Sequence, residues 1–158
     1  MTIILVQPEI PQNTGTIARL CAVTGARLEL VHPLGFATDD KHLRRAGLDY
    51  WHAVCLCEHA DVRSFLRERE RMMRELGARY FCFSRWGRRR HVDIEWRCAD
   101  GLVFGPESVG LDLEALGVTR ADAVRIPMQH GSRSLNLANA ASIALYEALR
   151  QQGFPGLE

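Results

Sequence analysis

Short apolar runs alternate with amphipathic stretches along the chain. Runs rich in β-branched and other apolar residues, each of a length typical of a buried strand, are Ile3 to Val6, Leu28 to His32, Ala53 to Cys57, Arg79 to Phe83, Leu102 to Phe104 and Val124 to Pro127. Strands that alternate with helices are typical of α/β proteins, in which each helix crosses over between two parallel strands. The pattern therefore predicts an α/β fold with a mostly parallel sheet and helices on both faces.

The first helix is predicted between the first two strands. One face of it carries residues at helical spacing, which are Ile17, Leu20, Cys21 and Thr24. Asn13 or Thr14 can cap the start of this helix, and Gly25 can end it because glycine tolerates a left-handed backbone. Strand, helix and strand together predict a compact βαβ unit at the start of the chain.

Three further helices are predicted. They cover Asp39 to Ala46, Asp61 to Leu76 before Gly77, and Leu135 to Gln151 with Ser134 as the cap. The middle of the last helix is rich in small residues, namely Ala138, Ala140, Ala141, Ser142 and Ala144. Small side chains allow two backbones to approach closely, so we expect this helix to pack tightly on another element or on another subunit.

Length and composition indicate one ordinary globular domain over residues 1–158. Hydrophobic residues make up 47% of the chain and charged residues 25%, which is not the composition of a disordered protein. The first apolar run is far too short to span a bilayer and lacks the features of a secretion signal. The five cysteines form an odd set without C-x-x-C spacing, so we expect no disulfide framework and no zinc site. They are predicted to be reduced thiols, mostly in the core of a cytoplasmic protein that holds no metal.

Charge is informative through its distribution, because the net charge is only +1. Cations and one aromatic ring are concentrated between Arg85 and His91, and a second basic cluster lies around Lys41 and Arg44. Such clusters can neutralise phosphates and stack a base. The residues predicted to contact RNA are Lys41, Arg44, Arg88, Arg89 and Arg90. The alternative interpretation is a solvated loop and a solvated helix face.

Three loops at the carboxyl ends of predicted strands look suited to chemistry. The first is the proline-braced segment from Pro8 to Arg19, the second is Phe104 to Leu111, in which glycines flank Glu107, and the third joins Ile126 to Ala140. In open α/β sheets this edge is where ligands bind. The glycines allow a ligand to approach the backbone, and Glu107 can accept hydrogen bonds. Asn136 and Asn139 are unfavourable inside an Ala- and Leu-rich helix, which indicates either capping or function.

These segments, in this order, resemble the SPOUT methyltransferases, and most closely the tRNA (cytidine(34)-2′-O)-methyltransferase family. The resemblance covers essentially the whole chain. It is carried by PEIPQNTGTIARLCAVTG, by the stretch from Gly35 to Tyr50, by FGPESVGL, and by IPM followed by SRSLNLANA and LYEALRQ. It implies methylation of the 2′-hydroxyl of the wobble nucleotide of tRNA, a cytidine or modified uridine, with S-adenosylmethionine as the cofactor and tRNA as the partner.

The resemblance also implies features that periodicity cannot reveal. One is a trefoil knot near the C-terminus, which completes the SPOUT fold and holds the cofactor. Another is a homodimer in which each active site is completed across the interface. The cofactor-binding positions implied are Phe83, Gly105, Glu107, Ile126 and Ser134.

The catalytic positions implied by the resemblance are Asn13, Arg19, Ser134 and Asn136. Arg19 falls at the proton-removing position, although a guanidinium is almost always protonated and is a poor base. Two roles are open for Arg19: its proton is drawn away by a phosphate or neighbour, or it stabilises the developing alkoxide electrostatically. Ser134 and Asn136 would orient the reacting groups.

Other classes of protein are less well supported by the residues. A nucleotide-dependent dehydrogenase is disfavoured because the G-x-G-x-x-G fingerprint is absent from the first loop. A non-enzymatic RNA-binding module would account for the arginines but not for three loops at strand ends. Ribose methylation at another tRNA or rRNA site remains an alternative within the same chemistry.

Overall fold

The computed structural model describes residues 1–37 and 53–158, and within them a five-stranded parallel sheet forms the centre of the protein. Its strands are β1 (Thr2–Val6), β2 (Arg27–Val31), β3 (Cys55–His59), β4 (Tyr80–Cys82) and β6 (Gly101–Phe104). The spatial order is β3-β2-β1-β6-β4. The predicted helix from Asp39 to Ala46 lies outside the described residues.

Helices cover both faces of this sheet. The alternate residues of β1 divide between two cores: Ile3 and Leu5 face one side, and Ile4 and Val6 face the other. On the first side lie α1 (Pro11–Thr24) and α3 (Leu137–Gln151), and on the second lies α2 (Val62–Leu76) with its buried Phe65. The predicted α/β class with a mostly parallel sheet is therefore confirmed, while the trefoil knot stays a prediction.

The starts of α1 and α3 differ from those expected. The N-cap of α1 is Ile10, followed by Pro11, and Asn13 and Thr14 are buried inside the first turns. Proline suits the first helical position because it has no N–H to satisfy there. The N-cap of α3 is Asn136, not Ser134, and its side-chain oxygen accepts from the backbone N–H groups of residues 138 and 139. The predicted caps at both helices were therefore wrong.

The prediction for α2 is confirmed at both ends. The Asp61 carboxylate accepts from the Ser64 N–H at 2.7 Å, and the Ser64 hydroxyl accepts from the Asp61 N–H at 3.1 Å. This reciprocal capping box satisfies two backbone donors that a helix start leaves open. Gly77 ends the helix in a left-handed conformation with φ of 63°.

Strand boundaries also shift. The run predicted from Ala53 to Cys57 becomes β3 two residues later, and the run predicted from Val124 to Pro127 is reduced to β7 (Val124–Arg125). β7 pairs in parallel with β5 (Arg89–Arg90), a strand that the sequence pattern did not predict, to form a separate two-stranded sheet. A 3₁₀ turn at His91–Asp93 follows β5.

The cysteines were expected to be mostly in the core, and this is wrong. Cys21 and Cys82 are buried, whereas Cys55 and Cys98 are exposed and Cys57 is half-buried; all five are free thiols. Burial raises the pKa of the Cys21 thiol to about 12 and that of Cys82 to about 11, because a thiolate is poorly solvated in an apolar core.

Across residues 1–37 and 53–158, none of the helices has the length and apolar character needed to cross a membrane.

Candidate active site

A cavity of about 500 Å³ opens at the carboxyl edge of the sheet. Two of the loops that line it follow β1 and β6, and the segment from Ile126 to the start of α3 forms a further wall. The loop after β4, which lies next to β6, also contributes. Ligands of open α/β proteins bind at this edge, beside the strand where the chain changes direction across the sheet. The fold therefore brings all three loops singled out from the sequence to one cavity.

The Glu107 carboxylate ties the β6 loop to the start of α1. It accepts a hydrogen bond from the Glu9 N–H at 2.8 Å, a longer one from the Ile10 N–H at 3.3 Å, and one from Asn13 Nδ2 at 2.9 Å. A carboxylate at a helix N-terminus is stabilised by the orphan N–H groups and by the helix dipole. Glu107 thus satisfies the two backbone N–H groups that immediately precede the first helical residue, Pro11.

A second carboxylate returns the contact. The Glu9 carboxylate accepts from the Ser108 N–H at 2.8 Å and from the Ser108 hydroxyl at 2.7 Å. These two hydrogen bonds lower the pKa of the Glu9 carboxyl below its usual value, since both favour the charged form. Two reciprocal carboxylate contacts therefore join the loops after β1 and β6: Glu107 binds the loop after β1, and Glu9 binds the loop after β6.

Two side-chain amides connect these joined loops to α3. Asn136 Oδ1 is taken up by the backbone of α3, so its Nδ2 group is the donor to Asn13 Oδ1 at 2.9 Å. Asn13 in turn uses its Nδ2 to donate to Glu107, and its side chain is only 7% exposed. The hydrogen bonds fix the orientation of both amides. Glu107, Asn13 and Asn136 consequently form one chain of polar contacts along the cavity wall.

The backbone at Gly105 is enclosed by its own loop. A Cβ placed there would lie 2.4 Å from Leu111 Cα, far inside van der Waals contact. Glycine is therefore required for the loop to close on itself. This packing brings main-chain groups, without a side chain in front of them, to the cavity.

Phe83 and Phe104 line the site, and Phe81 and Trp96 belong to the same core. Phe83 stacks on Phe104 with centroids 4.6 Å apart, and Phe81 meets Trp96 edge-on at 4.8 Å. The Trp96 indole N–H donates to the His91 carbonyl at 3.0 Å, so its one polar group is satisfied in the core. The predicted cofactor residue Phe83 is therefore held rigidly between the core and the cavity.

Most of the predicted site residues meet in this cavity. Those that line it are Asn13, Phe83, Gly105, Glu107, Ile126, Ser134 and Asn136. Arg19 does not line it: its side chain is exposed on α1, six residues beyond Asn13, which is about 9 Å farther along a helix. Among the described residues, no cluster of side chains suited to a metal ion occurs.

The arginines predicted to contact RNA have different surroundings. Arg90 forms a two-pronged ion pair with Asp93, with both N···O distances 2.7 Å, and the Arg89 guanidinium lies 5.7 Å from the Phe81 ring centroid. Arg88 is exposed. Lys41 and Arg44 lie outside the described residues.

The cavity mouth holds cations that the sequence analysis did not assign to the site. Arg85 and Arg133 both line it, and Arg85 Nη1 donates to the Arg133 carbonyl at 3.2 Å. They lie 48 residues apart in the chain, so adjacency in sequence could not reveal the pair. The available signals were that Arg85 begins the basic cluster and that Arg133 lies in the third predicted loop.

Fold and site together define an α/β protein whose ligand cavity lies at one edge of the sheet and is built from loops at the ends of strands. A family model described as the SpoU rRNA Methylase family matches residues 1–146. The chain is 47% identical over 157 residues to a tRNA (cytidine(34)-2′-O)-methyltransferase of Yersinia pestis, a match that covers 99% of this chain and 96% of that one. The chain belongs to the SpoU methylase family, and the resemblance stated from its sequence is confirmed.

Solved structures agree with this assignment. One described as giving structural insights into the 2′-OH methylation of C/U34 on tRNA superimposes with a TM-score of 0.87 at 45% identity, covering 96% of this chain and 95% of that chain. An rRNA methyltransferase from Sinorhizobium meliloti with bound AdoMet superimposes with a TM-score of 0.79 at 26% identity, covering 94% of this chain and 55% of that chain.

Proposed function

We propose that this protein transfers a methyl group from S-adenosylmethionine to the ribose 2′-hydroxyl of the wobble nucleotide, position 34, of tRNA. The observation that carries the proposal is the match over 99% of the chain to a relative named for this reaction. The substrate nucleotide is a cytidine or a modified uridine, in keeping with the C/U34 of the similar solved structure.

The cavity suits the cofactor in size and chemistry. Its volume of about 500 Å³ falls within the roughly 300–1,000 Å³ typical of small-molecule sites. Phe83, Ile126 and the main chain around Gly105 offer apolar and backbone contacts, and the Glu107 carboxylate offers negative charge toward a cationic ligand. S-adenosylmethionine supplies an activated methyl group, so the protein has to bind it, orient the acceptor hydroxyl and exclude water.

Other residues of the chain would orient the acceptor ribose and assist removal of its hydroxyl proton. Ser134 and Asn136 lie together on the cavity wall, where a hydroxyl and an amide can orient the acceptor ribose. The 2.9 Å hydrogen bond from Asn136 Nδ2 to Asn13 Oδ1 holds the Asn136 side chain in place. Arg19 either gives its own proton to a neighbouring phosphate and takes up the proton of the 2′-hydroxyl, or it stays charged and stabilises the developing alkoxide.

The position of Arg19 supports a dimer in which the site is completed by a second copy. Arg19 is exposed on α1 and shares a helix face with Val23 four residues on, which is 50% exposed. On α3, Ile143 and Tyr146 are also exposed apolar residues. Since α1 and α3 pack side by side, a partner seated on this face would bring its own Arg19 toward the neighbouring cavity.

The proposal also covers the cellular compartment of the protein and the extent of its domain. Free tRNA is a cytoplasmic substrate, and the free thiols of the described structure suit a reducing compartment. The two cores share one sheet, which supports a single methyltransferase domain over residues 1–158. No metal has a role in the proposed chemistry.

Methyl transfer in vitro tests the proposal directly. Purified protein, unmodified tRNA and methyl-labelled cofactor should yield labelled tRNA, and mass spectrometry of nuclease fragments should place the 2′-O-methyl group on nucleotide 34. A methyl group on another nucleotide of tRNA, or on rRNA, would replace the proposed substrate by the alternative within this family. RNA binding without any methyl incorporation would replace the enzyme by a binding module.

A further inference from the structure

The indole of Trp86 is exposed at the mouth of the cavity and contacts two arginines. The Arg85 Cζ atom lies 4.3 Å from the centroid of the Trp86 ring, and the Arg120 Cζ atom lies 5.4 Å from it. Even with both guanidinium groups in place, 55% of the Trp86 surface stays accessible. More than half of the surface of a large aromatic side chain is therefore accessible beside the cavity.

The turn that carries Trp86 is held rigidly. The Gly87 N–H donates to the Ser84 carbonyl at 3.0 Å, and the Trp86 N–H donates to the Ser84 hydroxyl at 3.3 Å. A Cβ on Gly87 would lie 2.7 Å from the Ala123 carbonyl oxygen, so the turn is pressed directly against the segment before β7. Preorganisation of this kind lowers the entropy lost when a ligand binds.

Two further backbone contacts hold the Trp86 turn beside the segment that carries Arg120. The Ser84 N–H donates to the Val124 carbonyl at 2.8 Å, and the Arg88 N–H donates to the Arg120 carbonyl at 3.0 Å. The backbone on both sides of Trp86 is thus tied to the strand and turn that carry Arg120. Residues 34 positions apart in sequence form one composite surface, which we call the Trp86 platform: Arg85, Trp86 and Arg120.

The guanidinium groups of the platform are available to an anion. Within residues 1–37 and 53–158, neither Arg85 nor Arg120 forms an ion pair with a carboxylate, in contrast to the nearby Arg90 with Asp93. A guanidinium stacked on an aromatic ring keeps its N–H donors in its plane, where they can bind phosphate oxygens.

The charge of the platform decides between its two candidate ligands. S-adenosylmethionine contains an adenine that could stack on an indole and a carboxylate that could bind one arginine, but its sulfonium and ammonium groups give it a net positive charge. An RNA nucleotide combines a base with a phosphate, and each neighbouring nucleotide adds another phosphate, so its charge is negative throughout. With two arginines beside one indole, the charge of the platform therefore favours RNA over the cofactor.

We propose that the Trp86 platform binds one unpaired nucleotide next to the nucleotide that is methylated. Trp86 stacks its base, and Arg85 and Arg120 bind its phosphate, which positions the neighbouring ribose over the cavity. This inference rests on the proposed RNA substrate and adds the residues that hold the strand. It also shifts the main phosphate contacts from Arg89 and Arg90 to Arg85 and Arg120.

Binding of a fluorescently labelled anticodon stem-loop RNA to Trp86 variants tests the stacking. Trp86→Ala should raise the Kd of this RNA about tenfold, within the range measured for loss of one base-aromatic stack. Trp86→Phe should restore most of the affinity, whereas Trp86→Leu should not, because it keeps apolar bulk without a π-face. Circular dichroism should show all three variants folded, since the side chain is exposed.

The arginine contact is tested by the salt dependence of the same Kd. Arg120→Ala should lower the slope of log Kd against log salt by about one, which is the loss of one phosphate contact. The matched control is Arg67→Ala, which removes an equal charge from the exposed face of α2, on the opposite side of the sheet. The control should leave the slope unchanged.

Calorimetry with S-adenosylmethionine distinguishes the base of RNA from the adenine of the cofactor. Trp86→Ala should leave the cofactor Kd within about twofold of wild type; a larger loss, with RNA affinity retained, would assign Trp86 to the cofactor and overturn the inference. RNA affinity within about twofold of wild type in Trp86→Ala would also overturn it. Both Kd values are measured without turnover, so the result stands even if no tRNA is methylated, which would instead count against the proposed function.

Discussion

At the scale of single residues, the site depends on side chains that serve structure and chemistry together. Asn13 is buried in α1, yet both ends of its amide are used, one toward Glu107 and one toward Asn136. Removing such a group leaves two partners unsatisfied rather than one. The polar wall of the cavity is therefore expected to respond as a unit to substitution.

Arg19 is the residue whose role can be separated from binding. If it acts on charge that develops only in the transition state, Arg19→Ala should slow single-turnover methyl transfer to tRNA by a hundredfold or more, on the order of 3 kcal/mol. Calorimetry should show nearly unchanged cofactor affinity. Arg19→Lys keeps the charge without the planar fork, so strong rescue would favour electrostatics and its failure a geometric or proton-transfer role. Near-normal transfer by Arg19→Ala would remove this residue from the mechanism.

At the scale of elements, the start of α3 combines a cap with a position that we propose to be catalytic. Asn136→Asp keeps an oxygen to cap the helix but loses the Nδ2 donor and leaves the buried Asn13 Oδ1 unsatisfied, so stability should fall by about 1 kcal/mol while methyl transfer falls at least tenfold. Asn136→Ala loses the cap as well, so its stability should be lower than that of Asn136→Asp by about a further 1 kcal/mol, the usual cost of a lost cap. Asn139→Ala, on the exposed side of the same turn, is the control. Full activity in Asn136→Asp would show that Asn136 serves only as the cap of the helix.

The end of α3 carries a pH-dependent contribution to stability. Hydrogen bonds from Arg150 and Gln151 lower the pKa of Glu147 to about 2, with Arg150 the larger cause. A carboxyl whose pKa is lowered on folding stabilises the protein above its unfolded pKa, about 4.3, and loses that effect as pH falls toward 2. Denaturant unfolding should show Glu147→Gln less stable than wild type at pH 6, with the difference shrinking by pH 3. Glu114→Gln, on an exposed loop, should show no such trend.

The elements also show what local sequence can and cannot predict. The capping box at Asp61 and Ser64 is local, and the end of α2 at Gly77 is too, so both were predictable. The start of α1 was not, because the N–H groups just before it are satisfied by Glu107, which lies 98 residues from Glu9. Loop motifs at strand ends predicted which segments meet at the cavity. They could not predict Arg85 beside Arg133 or Arg120 over Trp86, since those contacts depend on the packing of distant loops.

At the scale of the whole molecule, the small-residue stripe of α3 is explained within one chain. Ala141 and Ala144 are fully buried in the core with α1 and the sheet, so the stripe faces inward. Ala144→Leu should therefore destabilise the fold itself by about 1–3 kcal/mol through overpacking, measured by denaturant unfolding. Tyr146→Glu, on the exposed face, should leave that stability nearly unchanged but shift a dimer toward monomer in analytical ultracentrifugation. A monomeric wild type at micromolar concentration would contradict the dimer.

Mixing two inactive variants tests whether each site is shared between subunits. In a site completed across the interface, Arg19 comes from one copy and Asn136 from the other, so a heterodimer of Arg19→Ala with Asn136→Asp contains one doubly altered site and one intact site. Random mixing gives heterodimers for half of the molecules, so activity should rise from near zero to about one quarter of wild type. Each variant alone, carried through the same unfolding and refolding, is the control. Mixtures that stay inactive, while ultracentrifugation shows that heterodimers have formed, would place Arg19 and Asn136 in the same subunit's site.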